Sequence, residues 1–240
     1  MFTLRRRQQR RFTDPGFSID RQNCSLIGYH DPALLGNSHL RVLTEVWVAP
    51  GAGFAPHFHQ NMEIISYLLE GRLAHQDNTG HNAVLSPGEI QRMSAGSGIT
   101  HSEYNISKTS PLRFLQIWIE PCQNEIPPGY QQRYFPKHVR QNRLCLVASS
   151  DGRRASLTVH QDILLYNSLL QSGATVRYTI AGGRRVQVYV AHGTIVVNAT
   201  YLGDGNTATV WGTGQVVLRA TNAAEVLLFD LASRDLPTLR

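Results

Sequence analysis

From Leu40 onward the chain alternates short apolar runs with Gly, Pro, Asn and Asp punctuation. LRVLTEVWVAPGAG, EIISYLLEGRLAHQDNTG, RFLQIWIEP, RRVQVYVAHGTIVVNATYLGDGN and AEVLLFDLA are the clearest examples. Runs of about five to eight residues between regularly spaced turn signals predict an all-β sandwich or barrel. Long segments of helical period are missing, so helices should be few and short. The best candidate, DPALLGN (Asp31 to Asn37), is barely two turns.

The pattern also repeats. In the first half an apolar strand reaches Gly51, another ends at Gly71, and RFLQIWIE closes the unit. In the second half a strand reaches Gly173, another ends at Gly193, and EVLLFDLA closes it. A repeat of this length predicts a duplicated domain rather than a solenoid. The stretch PCQNEIPPGYQQRYFPKHVRQNR is rich in Pro, Gln and Arg and poor in strand character, which reads as the linker. The expected units are therefore residues 1–137 and 138–240.

The first unit carries the candidate chemistry. GAGFAPHFHQNME runs from Gly51 to Glu63, and in a strand residues two apart share a face, so His57 and His59 project together. GITHSEYN repeats the spacing with His101 and Glu103. Two neighbouring strands offering such pairs converge four side chains on one point. Three imidazoles and a carboxylate suit one divalent transition metal, with positions left open for a substrate or dioxygen. Fe(II) stands first; Cu, Mn, Ni, Co and Zn are open to the same donors, and affinity alone favours copper. Counting on from Gly173 as from Gly51, the equivalent positions fall near Thr179 and Ala181, so the second unit is expected to lack the site. His160 and His192 are isolated and read as structural. Trp47, Phe114 and Trp118 lie on apolar strands and are expected in the core. The glycines of SAGSGITH (Ser94 to His101) mark a tight approach to the metal strand, not a phosphate loop, since no Lys-Ser/Thr or helix start follows.

G-x5-H-x-H-x3-E (Gly51 to Glu63) and G-x2-H-x3-N (Gly98 to Asn105) resemble the two cupin motifs, with Pro87-Gly88 upstream of the second. Within the cupins the chain is similar to the pirin group. GYHDPALLG, IQRMSAGSGITHSEYN and LQIWIEP carry the likeness in the first half, HQD (His160 to Asp162) and EVLLFDL in the second. The resemblance implies a bicupin, two tandem jelly-roll-like barrels, with His57, His59, His101 and Glu103 as metal ligands. In many other cupins the carboxylate ligand is the glutamate of the first motif, here Glu63, which stands as the alternative. The group commonly has an aromatic-rich stretch where this chain reads QNCSLIGYHDP (Gln22 to Pro32), a departure that alters the expected barrel mouth.

The resemblance further implies a quercetin 2,3-dioxygenase-like activity on a flavonol-like substrate with O2, Glu103 serving as general base. The rival it brings is a metal- or redox-sensing regulator that binds a transcription factor or metabolic enzyme. Composition changes little: 17% charged and 42% hydrophobic residues describe an ordinary globular protein. Much of the net charge of +6 comes from Arg5, Arg6, Arg7, Arg10 and Arg11, a cluster that reads as a solvated edge strand. No aromatic-basic interleaving or helix-turn-helix pattern accompanies it, so a nucleic-acid partner is not expected. No apolar run reaches membrane-spanning length, and no signal-peptide core follows the basic start. Cys24, Cys122 and Cys145 have neither metal nor redox spacing and read as reduced thiols of a cytoplasmic protein. Two fused barrels that cover each other's edges make a monomer the expected state.

Overall fold

LRFLQIWI (Leu112 to Ile119) carries apolar side chains on both faces, a pattern that requires cover on both sides of a sheet. A computed structural model of the chain supplies that cover; it describes residues 2–9, 11–13, 18–22 and 38–233, with the backbone alone for 11–13 and 18–22. The expected helix at Asp31 to Asn37 and almost all of the stretch from Gln22 to Pro32 lie outside the described residues.

The first strands are β1 (Phe2–Arg5), β2 (Arg11–Thr13), β3 (Ser18–Gln22), β4 (Leu40–Val48), β5 (Gly53–His59) and β6 (Glu63–Glu70). β7 (Leu73–Asp77), β8 (Asn82–Leu85), β9 (Glu89–Ser94), β10 (Ile99–Asn105), β11 (Leu112–Ile119) and β12 (Gly129–Tyr134) follow. A short helix, α1 (Lys137–Arg140), leads to β13 (Cys145–Ser149), β14 (Leu157–Thr158), β15 (Ile163–Leu170), β16 (Thr175–Ile180) and β17 (Arg184–His192). The chain continues through β18 (Ile195–Val197), β19 (Thr200–Leu202), β20 (Thr207–Trp211), β21 (Gly214–Ala220) and β22 (Ala224–Ala232).

The expected all-β pair of barrels is what these strands build. A seven-stranded sheet (β12-β9-β6-β11-β4-β3-β2) faces a four-stranded one (β5-β10-β7-β8). A second pair repeats the plan, with orders β1-β20-β17-β22-β15-β13-β14 and β16-β21-β18-β19. The two larger sheets meet across a shared apolar core. Leu43, Ile65, Leu115 and Ile117 enter it from one side, and Val147, Leu165, Tyr189 and Phe229 from the other. In β11, therefore, Leu115, Ile117 and Ile119 face the second barrel while Leu112, Phe114 and Trp118 face their own.

Two segments depart from the reading of the sequence. The presumed linker contains β12, which pairs antiparallel with β9 from Gly129↔Ser94 to Tyr134↔Glu89. GYQQRY looks unlike a strand because its polar side chains suit a sheet edge, and the partner strand supplies the pairing. Of the five arginines near the start only Arg5 lies on the edge strand β1, and that strand sits on the second barrel, pairing with β20 from Phe2↔Val210 to Arg5↔Thr207.

Polar contacts lock this junction. Glu45 is fully buried; its Oε1 accepts from Arg113 Nε at 2.9 Å and its Oε2 from the Tyr189 hydroxyl at 3.1 Å. Arg7 Nη2 stands 3.7 Å from Glu45 Oε1, and Arg113 Nη2 donates to the Ala191 carbonyl at 2.8 Å. Burial alone would raise the Glu45 carboxyl, but the Arg113 and Arg7 guanidiniums outweigh it and hold the group below its usual range. Replacing Glu45 with Ala leaves Arg113 buried without its main counter-charge and should lower the unfolding free energy by about 3–5 kcal/mol. Glu70→Ala, which removes the more exposed partner of the same guanidinium, should cost less than about 1 kcal/mol in the same denaturant titration.

Candidate metal centre

The register of β5 against β10 brings three of the four predicted residues together, His57, His59 and His101. Ile99 lies opposite His59 and His101 opposite His57, and then the pairing slips so that Glu103 lies opposite Phe54. The extra residue falls on β5 around Pro56, where a missing N–H is tolerated because β5 is an edge strand. Gly53 permits the close approach: a Cβ there would stand 2.2 Å from the Glu103 carbonyl oxygen. Beyond the bulge, regular alternation turns His57 and His59 to one face, with ring centroids 4.8 Å apart. The His101 ring completes a triangle, 4.4 Å from that of His57 and 5.0 Å from that of His59. Ligand nitrogens of all three lie within 4.8 Å of one another.

The centre occupies a polar layer between two apolar ones. Val46, Val48, Leu68, Leu73, Leu85, Leu112 and Phe114 fill one end of the barrel. Val42, Ile64, Met93, Ala95, Ile99 and Trp118 fill the other, with the Trp118 ring edge-on to His59 at 5.1 Å. Between them the larger sheet contributes one continuous row, because Thr44 pairs with Gln116, Gln116 with Ser66, and Ser66 with Gln91. Three of these grip Glu103. Its Oε1 accepts from Ser66 Oγ at 2.9 Å and Gln91 Nε2 at 3.0 Å, and its Oε2 from Gln116 Nε2 at 2.8 Å. Glu103 groups with His101 and His75 within 4.8 Å, a cluster that overlaps the three imidazoles at His101.

Burial and neighbouring rings keep His59 and His101 neutral, the form that binds metals. Burial, reinforced by the His57 ring, lowers His59 to about 4. Burial followed by the His57, His59 and His75 rings lowers His101 to about 2. His57 Nδ1 donates to the Ala55 carbonyl at 2.8 Å, which leaves Nε2 with its lone pair. His59 Nε2 and both ring nitrogens of His101 are buried with no hydrogen-bond partner. Buried polar atoms normally have partners, so these orphans mark a place for a ligand. The donor set fits a first-row divalent ion.

Glu63 stands elsewhere. It faces the second barrel, where His160 Nδ1 lies 3.2 Å from its Oε1 and Arg92 Nε lies 4.0 Å from its Oε2. The i, i+2 parity it shares with the histidines is broken by the turn at Asn61, whose φ is 51°. Sequence reasoning missed His75 and Asp77. They sit on β7 opposite Glu103 and His101 respectively, and the His75 ring lies 5.3 Å from that of His101. HQD at His75 to Asp77 has the same i, i+2 spacing as the pairs singled out, and that signal was available. In the second barrel the inner face of β16 carries Val176 and Ile180, packed with Val216 and Leu218. Thr179, near which the sequence count placed a ligand equivalent, points away from that core and is exposed.

A sandwich pair with imidazoles converging from strands of its first barrel defines a metal-type bicupin. The chain matches the family Pirin over residues 6–119 and the family described as Quercetinase C-terminal cupin domain over residues 146–231. It is 39% identical over 231 residues to quercetin 2,3-dioxygenase of Escherichia coli strain K12, covering 96% of this chain and 99% of that one. A pirin-like protein of Caulobacter vibrioides is 34% identical over 220 residues, 91% of this chain and 94% of its own. The crystal structure of Escherichia coli YhhW superposes with a TM-score of 0.93 at 38% identity, covering 98% of this chain and 100% of that one. Bacterial pirin YhhW in complex with nickel(II) superposes at 0.91 with 39% identity and the same coverage. The chain belongs to the pirin family. Among the described residues no helix is long and apolar enough to cross a membrane.

The lowered histidines set a sign for pH dependence. Below about pH 6.5 the unfolded chain takes up protons that folded His59 and His101 refuse, so folding of the metal-free protein weakens as pH falls from there toward about 4. Melting temperatures recorded in chelator across that window should fall more steeply for the native protein than for His101→Asn.

Proposed function

We propose that this chain is a cytoplasmic metal-dependent dioxygenase that cleaves flavonol-like substrates with O2, with His57, His59, His101 and Glu103 as ligands of one divalent ion, Fe(II) foremost. The observation that carries the reading is the convergence of three imidazoles on one point with His59 Nε2 and both His101 nitrogens buried and unpartnered. Full-length likeness to proteins named quercetin 2,3-dioxygenase supplies the reaction class. When bound, the ion supplies a Lewis-acid position at which a substrate hydroxyl gives up its proton near neutral pH.

The chain's own residues do the remainder. Glu103 is the acidic member of the cluster and takes the hydroxyl proton as general base. Ser66, Gln91 and Gln116 hold it in one orientation, all three donating to its oxygens. Val42, Ile64, Met93 and Trp118 make the neighbouring layer apolar, which excludes water from that side of the metal centre.

The test is anaerobic reconstitution with Fe(II), and separately with each other candidate ion, followed by oxygen. The loaded protein should consume flavonol absorbance and release carbon monoxide only when O2 is admitted. The His57→Ala, His101→Ala pair should lose both metal and turnover, and persistence of turnover in that variant would end the proposal. Glu103→Gln should lower turnover by about 10²–10⁴-fold while elemental analysis still finds the ion.

A further inference from the structure

His75 is not among the proposed ligands, yet it is as deeply buried as any group in the barrel, with none of its side chain exposed. One ring nitrogen is accounted for: His75 Nε2 lies 3.1 Å from Asp77 Oδ2. The other, Nδ1, is buried with no partner. His75 also belongs to the cluster in which ligand atoms of His75, His101 and Glu103 lie within 4.8 Å of one another. Tyr130 closes the far side, its ring 4.9 Å from that of His75 at 30°.

His101 presents the complementary deficit. Both of its nitrogens are buried and unpartnered, and an ion takes only one of them. A neutral imidazole bound to metal through one nitrogen carries a hydrogen on the other, and that N–H needs an acceptor. Glu103 is poorly placed to serve, since its oxygens already accept from Ser66, Gln91 and Gln116. His75 Nδ1 has an unused lone pair provided that the ring hydrogen sits on Nε2. Asp77 enforces that tautomer. Its Oδ1 already accepts from the Thr79 and His81 backbone N–H groups and the Thr79 hydroxyl, and Oδ2 faces His75 Nε2 as an acceptor.

Resting on the reading of His101 as a ligand, we infer that His75, held in its Nε2–H tautomer by Asp77, accepts the second ring N–H of His101 and so acts as a positioning residue of the metal centre. The relay runs Asp77, His75, His101, metal. The two rings stand 5.3 Å apart between centroids, and neither His75 Nδ1 nor either nitrogen of His101 has another hydrogen-bond partner.

Asp77→Asn tests the inference because the direction of the new amide is set in advance. Oδ1 accepts from the backbone N–H groups of Thr79 at 2.9 Å and His81 at 3.1 Å, so the amide oxygen takes that place. The NH2 group then faces His75 Nε2, which must accept, and the ring hydrogen moves to Nδ1. Two N–H groups now oppose each other between His75 and His101. Calorimetric Ni(II) affinity should fall about 10–100-fold relative to wild type. Ring nitrogen NMR of the metal-free protein should report Nε2–H at His75 in wild type and Nδ1–H in Asp77→Asn, a change that a merely structural role would not produce.

His75→Phe keeps the ring volume and should weaken Ni(II) by a similar factor; adding Asp77→Asn to it should weaken binding no further. Should Asp77→Asn fail to fold, the His75→Phe affinity and the wild-type tautomer decide alone. The inference is overturned if the wild-type ring carries its hydrogen on Nδ1, if either variant binds Ni(II) as wild type does, or if wild type takes up a second equivalent that His75→Phe lacks. The last result would make His75 a ligand of another ion. His101→Ala binding Ni(II) with unchanged affinity would instead refute the ligand reading beneath it.

Discussion

Burying a polar atom without a partner costs about 1–3 kcal/mol, and the first barrel buries several imidazole nitrogens in that condition around one point. The rest of the barrel is arranged around tolerating them. Apolar layers above and below fix the ends, and one polar row crosses the facing sheet at the same height. Glu103 spans the gap from the histidine sheet to that row and is held by three side chains from three different strands. A carboxylate so restrained is held in one orientation in advance, which is the condition for preorganised chemistry.

The second barrel contributes to the centre at one remove. Its interior is closed by Val176, Ile180, Val216 and Leu218, and its large sheet packs on the back of the sheet that carries Gln116 and Trp118. Because side chains alternate along β11, Leu115 and Ile117 are gripped by the shared core while Gln116 and Trp118 reach into the site. A shift in the packing between barrels would therefore move the wall opposite the histidines. The Glu45–Arg113 pair and the exchanged strand β1 stiffen the same junction. The basic start of the chain thus has an internal partner: Arg7 faces buried Glu45, and its backbone N–H donates to Asn206 at 2.9 Å.

Strand periodicity made much of this legible before any coordinates. Alternation is a local property of the backbone, so His57 with His59, and His101 with Glu103, had to share faces wherever those segments were extended. The all-β class followed from the same short runs, and family likeness from the spacing of glycines and histidines. Local pattern could not say which strand lies beside which. That is decided by pairing between segments far apart in the chain, and it put His75 and Asp77 beside His101, turned Glu63 toward His160, and drew GYQQRY into the sheet as β12.

What the sequence alone determined is the inventory: which side chains share a face, how many β units there are, and which unit carries metal-binding residue types. What only the tertiary structure decided is partnership. The grip on Glu103, the orphaned nitrogens and the crossing of β1 to the other barrel exist only once distant strands are in register. The physical reason is that face is set by the torsions of adjacent residues, whereas neighbours are set by burial and hydrogen bonding summed over the whole chain.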